Sequence, residues 1–247
     1  MIFNFKKPPA FKFYSHLPGV KEQYPIIPAK NHRPAWIKSV LEAYKNKTSK
    51  LSNYGPQHVG TGKCPGIIEL GKLGWTVTTW FDVIITTSGR RNCSWKVPST
   101  LPPSLPGYSQ EPIKFIDMSA DENKIPIPDY SSQLLLKMYM PWHVEIPKGW
   151  NLLMLPVNYS DDTRFQCSTG ILKPGSYVEV NPQIFWNVTQ GEELIVAGTP
   201  LCHLIPISDE SYDATAEMLE ITEEQICNRQ SFYYRKGCTF ARNPNVL

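Results

Sequence analysis

The stretch Trp75-Thr76-Val77-Thr78-Thr79-Trp80-Phe81-Asp82-Val83-Ile84-Ile85-Thr86-Thr87 decides the fold class. Val77, Thr79, Phe81, Val83, Ile85 and Thr87 alternate with a second set dominated by threonines, which is the two-residue period of a strand with β-branched faces. Ser88-Gly89 reads as the turn that ends it, and Cys93–Val97 as the return strand of a hairpin.

The same rhythm continues towards the C-terminus. Gln133–Tyr139, Trp142–Ile146, Trp150–Val157, Tyr177–Asn181, Ile184–Val188, Leu194–Val196 and Leu201–Ile207 read as strands separated by Pro, Gly and Asn-Pro breaks. Connections this short leave no room for crossover helices, so the sheets are expected to be antiparallel. The expected fold class is mainly β: an antiparallel β-sandwich or jelly-roll, cupin-like in outline. Residues 31–247 are read as one domain, since all-β domains of this size remain single units. Between Pro98 and Pro112 the prolines exclude a central strand, and the stretch reads as a long ordered loop.

Upstream, residues 1–30 carry prolines at positions 8, 9, 18, 25 and 28 among aromatic and aliphatic residues. That pattern excludes helix and predicts an extended arm. Phe3, Phe5, Phe11, Phe13 and Tyr14 are too apolar to be left in water, so the arm covers the domain's own sheet or reaches a neighbouring subunit, self-coverage being the simpler outcome. Pro34 suits the first turn of a short helix, with Ile37, Val40, Leu41 and Tyr44 on one face and an end near Asn46. A C-terminal helix is marked by Thr222 as N-cap, Gln225 three residues on, Ile221 and Ile226 as a hydrophobic staple and Gly237 at the stop.

Composition narrows the function classes. Net charge is +3 and the lysines and arginines are dispersed, which argues against nucleic acid as a partner. The longest apolar runs, such as Leu152–Val157 and Leu201–Ile207, are too short for a transmembrane helix, so no membrane partner is expected. Met1-Ile2-Phe3-Asn4-Phe5-Lys6-Lys7 reverses the order of a signal peptide, so the chain is not expected to be secreted by one. The Asn46, Asn92, Asn158 and Asn187 sequons are accordingly read as chance matches. None of the six cysteines forms a CxxC pair, and reduced, buried thiols are expected.

The chemistry-bearing residues are sparse. Cys202 next to His203 is no dyad, because neighbours along a strand face opposite ways. Gly60-Thr61-Gly62-Lys63 lacks the Walker spacing and is assigned to a turn. A cupin-type metal site would need histidines and a carboxylate converging from inward strand positions to hold Fe or Mn with open coordination sites. His143 and Glu145 share a strand face, and His203 lies in a late strand, so these three are the alternative ligand set. Against them, Lys173-Pro174-Gly175-Ser176-Tyr177-Val178 stands where a cupin carries a Pro-x-Gly turn followed by a histidine, and offers none. The reading adopted is that His143 and His203 are structural, with no catalytic residue, cofactor or metal assigned. The seven tryptophans are mostly core candidates, with some free to form an assembly interface.

Pro141-Trp142 and Ile146-Pro147-Lys148-Gly149-Trp150-Asn151-Leu152-Leu153-Met154-Leu155-Pro156-Val157-Asn158-Tyr159 resemble a family of uncharacterised proteins encoded by bacteriophages and some bacteria. The later motifs agree in order: Gly170-Ile171-Leu172, Val180-Asn181 with Ile184-Phe185-Trp186, and Ala197-Gly198-Thr199-Pro200-Leu201-Cys202-His203-Leu204-Ile205-Pro206-Ile207. Lys63-Cys64-Pro65-Gly66-Ile67, Gly74-Trp75, Asp82 and Tyr234-Arg235-Lys236-Gly237-Cys238 fit the same pattern. The resemblance implies a phage setting and a β-rich core and carries over no catalytic residue. The expected function is a phage-encoded structural or interaction protein, a virion component or host-cytoplasmic protein. Its expected partners are other virion or phage proteins and further copies of itself. The alternative is a cupin-like metal-dependent oxygenase.

Overall fold

The computed structural model describes residues 9–32, 34–36, 65–98, 111–117, 127–175, 178–220 and 222–225. In chain order the strands are β1 (Lys12–Ser15), β2 (Ile27–Pro28), β3 (Trp75–Thr78), β4 (Val83–Ser88), β5 (Cys93–Lys96), β6 (Ile113–Asp117), β7 (Leu134–Met138) and β8 (Trp142–Glu145). They continue with β9 (Trp150–Pro156), β10 (Phe165–Cys167), β11 (Gly170–Leu172), β12 (Val178–Glu179), β13 (Gln183–Trp186), β14 (Gln190–Ile195) and β15 (Pro200–Ser208). Two short helices, α1 (Val20–Gln23) and α2 (Pro65–Leu70), complete the regular elements used below.

The strands form four sheets in the orders β1-β8-β12, β10-β13-β7-β6, β11-β9-β15-β3-β2 and β14-β4-β5. Every pairing among them is antiparallel. The chain is a mainly β, antiparallel β-sandwich, as the alternation and the brief connections require. One apolar cluster draws on all four sheets, with Val77, Ile85, Leu136, Val144, Leu152, Ile184, Trp186 and Leu204 among its members. In β4, Val83, Ile85 and Thr87 are buried while Ile84 and Thr86 are less so, which is the predicted half-buried face.

The stretch that decides the fold class is not one strand. It breaks at residues 79–82, placing β3 in the five-stranded sheet and β4 in the β14-β4-β5 sheet. Distant backbone holds the break: Thr79 N–H donates to the Thr199 carbonyl at 2.9 Å, Gly198 N–H to the Thr79 carbonyl at 2.8 Å, and Ala197 N–H to Asp82 Oδ1 at 2.7 Å. The hairpin to Cys93 is present as β4–β5, with Thr87 opposite Cys93 and Ile84 opposite Lys96.

The N-terminal segment is not uniformly extended. Gly19, at φ +81°, opens the single turn α1 between Pro18 and Pro25, correcting the expectation of no helix there. A positive φ is inexpensive only for glycine, and one turn is all that fits between the two prolines. The remainder lies on the molecule's own sheets. Strand β1 pairs with β8, and β2 pairs with β3. Phe11 and Phe13 each meet the Trp75 ring at 5.3 Å between centroids, and Phe11 meets Trp150 at 6.3 Å.

Ala35 and Trp36 are helical, and residues 37–46 of the predicted first helix lie outside the described residues. At the predicted C-terminal helix the capping box is formed: Gln225 N–H donates to Thr222 Oγ1 at 3.2 Å and Thr222 N–H to Gln225 Oε1 at 2.9 Å. The staple residues Ile221 and Ile226, the rest of that helix, and residues 99–110 of the proline-rich loop fall outside the described residues. Cys93, Cys167 and Cys202 are free thiols, the latter two buried. Burial pushes the Cys93 thiol up to about 11, and burial followed by contact with Cys167 pushes Cys202 up as well, so both stay protonated and unreactive. No described helix is long and apolar enough to cross a membrane.

Candidate functional site

Strand β15 lies between β9 and β3, and His203 stands directly opposite Leu155 on one side and Thr76 on the other. Residues directly opposite each other share a face, so Thr76, His203 and Leu155 present one patch. Helix α2 lies over it and leaves a cavity of about 300 Å3, walled by Ala29, Ile67, Ile68, Leu70 and Val157. Pro65 opens that helix, where its missing N–H costs nothing.

Gly74 fixes the approach of α2 to the sheet. At φ +63°, its α-carbon comes so close to β15 that a methyl group there would stand 1.8 Å from the Leu204 carbonyl oxygen. Its own carbonyl accepts the Ala29 N–H at 3.0 Å, which joins the segment around β2 to the same corner. The polar groups of the cavity are few. His203 is buried and its Nε2–H donates to the Leu73 carbonyl. His32, Thr76 and Asn158 also line the wall, and Lys72 at the edge is ion-paired with Glu69 at 2.7 Å.

The loop after β9 forms the mouth. Tyr159 has φ +56°, the one positive φ outside glycine among the described residues. A tyrosine held there is strained by about 1 kcal/mol and persists only where neighbours hold it. Here Trp36 Nε1–H donates to the Tyr159 carbonyl at 2.7 Å, the two rings meet at 5.7 Å, and Ala35 N–H donates to Asp161 Oδ2 at 2.7 Å. Tyr159 as a residue is 51% exposed at the opening. Two further hollows, of about 610 and 270 Å3, adjoin the first across this loop.

Asp162 anchors the loop from behind through Arg164 at 2.7 Å, and Arg164 also donates to the Leu194 carbonyl at 2.6 Å. Burial pushes the Asp162 carboxyl up, but the hydrogen bonds from the Arg164 side chain and backbone, with its charge, outweigh burial and hold it low. That carboxylate is therefore committed to the loop's own structure.

Solved structures similar to this chain include three dUTPases. The native EIAV enzyme has a TM-score of 0.31 at 10% identity, over 61% of this chain and 86% of its own. A variant from phage phi11 of S. aureus has a TM-score of 0.28 at 15% identity, over 46% and 97%. A variant from Staphylococcus bacteriophage 80alpha has 0.31 at 12% identity, over 61% and 76%. Likenesses this slight carry no argument about this chain. No protein-family model matches it, and no curated protein matches it.

The residues of the alternative metal set are placed apart. His203 lines the cavity in the five-stranded sheet, whereas His143 and Glu145 are on β8 in the β1-β8-β12 sheet. Glu145 faces solvent and is engaged by Lys12 Nζ at 2.8 Å and the Tyr14 hydroxyl at 2.9 Å. His143 is buried against the His16 ring, 5.5 Å away. Among the described residues no group of three or more His, Cys, Asp or Glu side chains is placed to hold a metal ion.

Sequence reasoning passed over Thr76, Asn158 and Tyr159 as cavity residues, and α2 as an element. Pro65 at a helix start was a readable signal for α2. No local signal marks a tyrosine with positive φ. Ile67, Val157, Asn158, Tyr159 and His203, drawn from segments far apart in the sequence, line this one cleft.

A second feature lies away from the cleft. Past the 3-10 turn Asp209–Tyr212, residues 214–220 form neither helix nor strand, and every residue from Asp209 to Glu220 is exposed. Met218 is 95% exposed and Leu219 75%.

Proposed function

We propose that this chain is a phage-encoded structural or interaction protein that acts through protein–protein contacts within the virion. The observation that carries the reading is the bare apolar pair Met218 and Leu219 on a segment without secondary structure. Isolated exposed side chains are ordinary, but two adjacent large ones on a stretch that pairs with no strand among the described residues have the character of a contact awaiting its other half. The cleft supports the same reading. Its buried polar group His203 is tied to backbone and its walls are apolar, which suits holding a side chain more than transforming a substrate.

The test is mass spectrometry of purified virions, paired with recovery of the chain carrying Met218→Ser and Leu219→Ser. The chain is expected in particles at fixed stoichiometry, and the doubly substituted chain is expected to be lost from them. Particles without the wild-type chain would overturn the reading.

A further inference from the structure

We propose that the hollow of about 610 Å3 beside the α2 cleft is a binding site for a neutral oligosaccharide, stacked on Tyr130 and Tyr159 and hydrogen-bonded by Asn158, Gln166 and Asn187. This goes beyond the interaction reading above and does not depend on it. Three observations carry it.

The first is a pair of exposed tyrosines on clamped backbone. Tyr130 and Tyr159 both line the hollow and both are more than half exposed, at 61% and 51%. Beside Tyr130, Arg90 Nε donates to the Ser131 carbonyl at 2.9 Å, Arg90 Nη2 donates to the Pro128 carbonyl at 3.3 Å, and Ser131 Oγ donates to the Trp186 carbonyl at 2.9 Å. Tyr159 is fixed by its positive φ and the Trp36 hydrogen bond. An exposed ring adds little to folding, so bracing two of them around one hollow serves what the rings meet there. The C–H groups on the flat side of a sugar ring carry partial positive charge and pack on the negative face of an aromatic ring.

The second is a set of uncommitted amides. Asn158, Gln166 and Asn187 reach the hollow from three places in the fold: the loop after β9, strand β10 and the end of β13. The Asn158 and Gln166 side chains make no hydrogen bond among the described residues. Asn187 Nδ2 donates to the Thr163 carbonyl at 2.9 Å, but its buried Oδ1 accepts nothing among the described residues. A buried amide oxygen without a donor is costly, and a ligand hydroxyl supplies the donor it lacks. An amide both donates and accepts, as a hydroxyl does, and amides drawn from three elements suit a ligand with hydroxyls all round its ring. A nucleobase, with one hydrogen-bonding edge, uses them less well.

The third is charge and size. Asp162 is the one charged side chain in the lining, and Arg164 already neutralises it at 2.7 Å. Asp161, in the smaller adjoining hollow, accepts the Ala35 N–H. With these carboxylates close by and no cation among the described lining residues, a phosphate or an acidic sugar finds no counter-charge, which leaves a neutral ligand. The volume falls within the roughly 300–1,000 Å3 of small-molecule sites, and Pro156, Phe165 and Pro200 supply apolar wall.

The experiment titrates the full chain with maltotriose, cellotriose, mannotriose and N-acetylchitotriose by calorimetry and saturation-transfer NMR, with trigalacturonate and uridine as the charged and nucleoside comparisons. At least one neutral trisaccharide is expected to bind saturably and more tightly than either comparison. Tyr130→Ala and Tyr159→Ala, both at exposed positions and checked for native circular dichroism, are each expected to weaken it at least about fivefold. Gln166→Ala is expected to weaken it about threefold, and Tyr159→Phe to retain it. No saturable binding of any neutral trisaccharide, binding indifferent to both tyrosine-to-alanine substitutions, or tighter binding of trigalacturonate or uridine would each overturn the proposal.

Discussion

Two aromatic or aliphatic segments without a helix of useful length flank the sandwich, and they meet opposite fates. Phe11 and Phe13 belong to a segment whose backbone enters the β1–β8 ladder and whose rings pack on Trp75 and Trp150. Met218 and Leu219 belong to a segment that joins no strand among the described residues and leaves both side chains largely exposed. Apolar content alone does not decide whether a chain segment is absorbed by its own domain. What decides it is whether a sheet offers both a free strand edge and an aromatic platform of matching spacing.

The largest effect that would break this contrast is at the platform. Gly74→Ala drives a methyl group into the Leu204 carbonyl beside Trp75 and is expected to destabilise the protein by roughly 3–5 kcal/mol in a denaturant titration. Phe13→Ala, removing one half-buried ring from the platform, is expected to cost about 2 kcal/mol by the same measurement. On the other side, Met218→Ser with Leu219→Ser should change the stability of the monomer by less than about 0.5 kcal/mol, because both side chains are already in water. A large loss of monomer stability there would mean that the segment is absorbed after all.

The smallest expected effect is a pH dependence confined to the absorbed segment. The His16 imidazole is held below its ordinary value by burial first and by His143 second, against the pull of Glu179. The unfolded chain takes up that proton at a higher pH, so this contribution is present above the ordinary imidazole value and is lost as pH falls through the lowered folded one. Glu145 is lowered by the Lys12 hydrogen bond and then the Tyr14 one, and its contribution is likewise lost in acid, below the carboxylate range. Hydrogen exchange at residues 12–15 is expected to quicken from pH 7 to pH 5 relative to residues 214–220 after correction for intrinsic rates. His16→Gln should flatten the change, and a response unaltered by it would remove His16 from the account.

The fold class was legible because burial on one face writes itself into every second residue, as in Val83, Ile85 and Thr87. The break at residues 79–82 was not, since Thr79 and Phe81 continue the alternation and the hydrogen bonds that divide the strand come from residues 197–199. Strand β1 was hidden because four residues between proline-rich flanks give no period to read. At the site, His203 stood out as a polar residue in an apolar run, but its partner at Leu73 is set by tertiary approach through Gly74. His143 and Glu145 do share a strand, yet one is buried and the other faces water, so sequence spacing overstated their common environment.

The crossing at residues 79–82 has a bearing on how the molecule can be dissected. One uninterrupted backbone serves two sheets there, and its carbonyls and amides are claimed by the turn before β15. A cut there would part Leu17, Val20 and Val77 from the rest of the one buried apolar cluster, so the piece before it would keep too little apolar surface to fold alone.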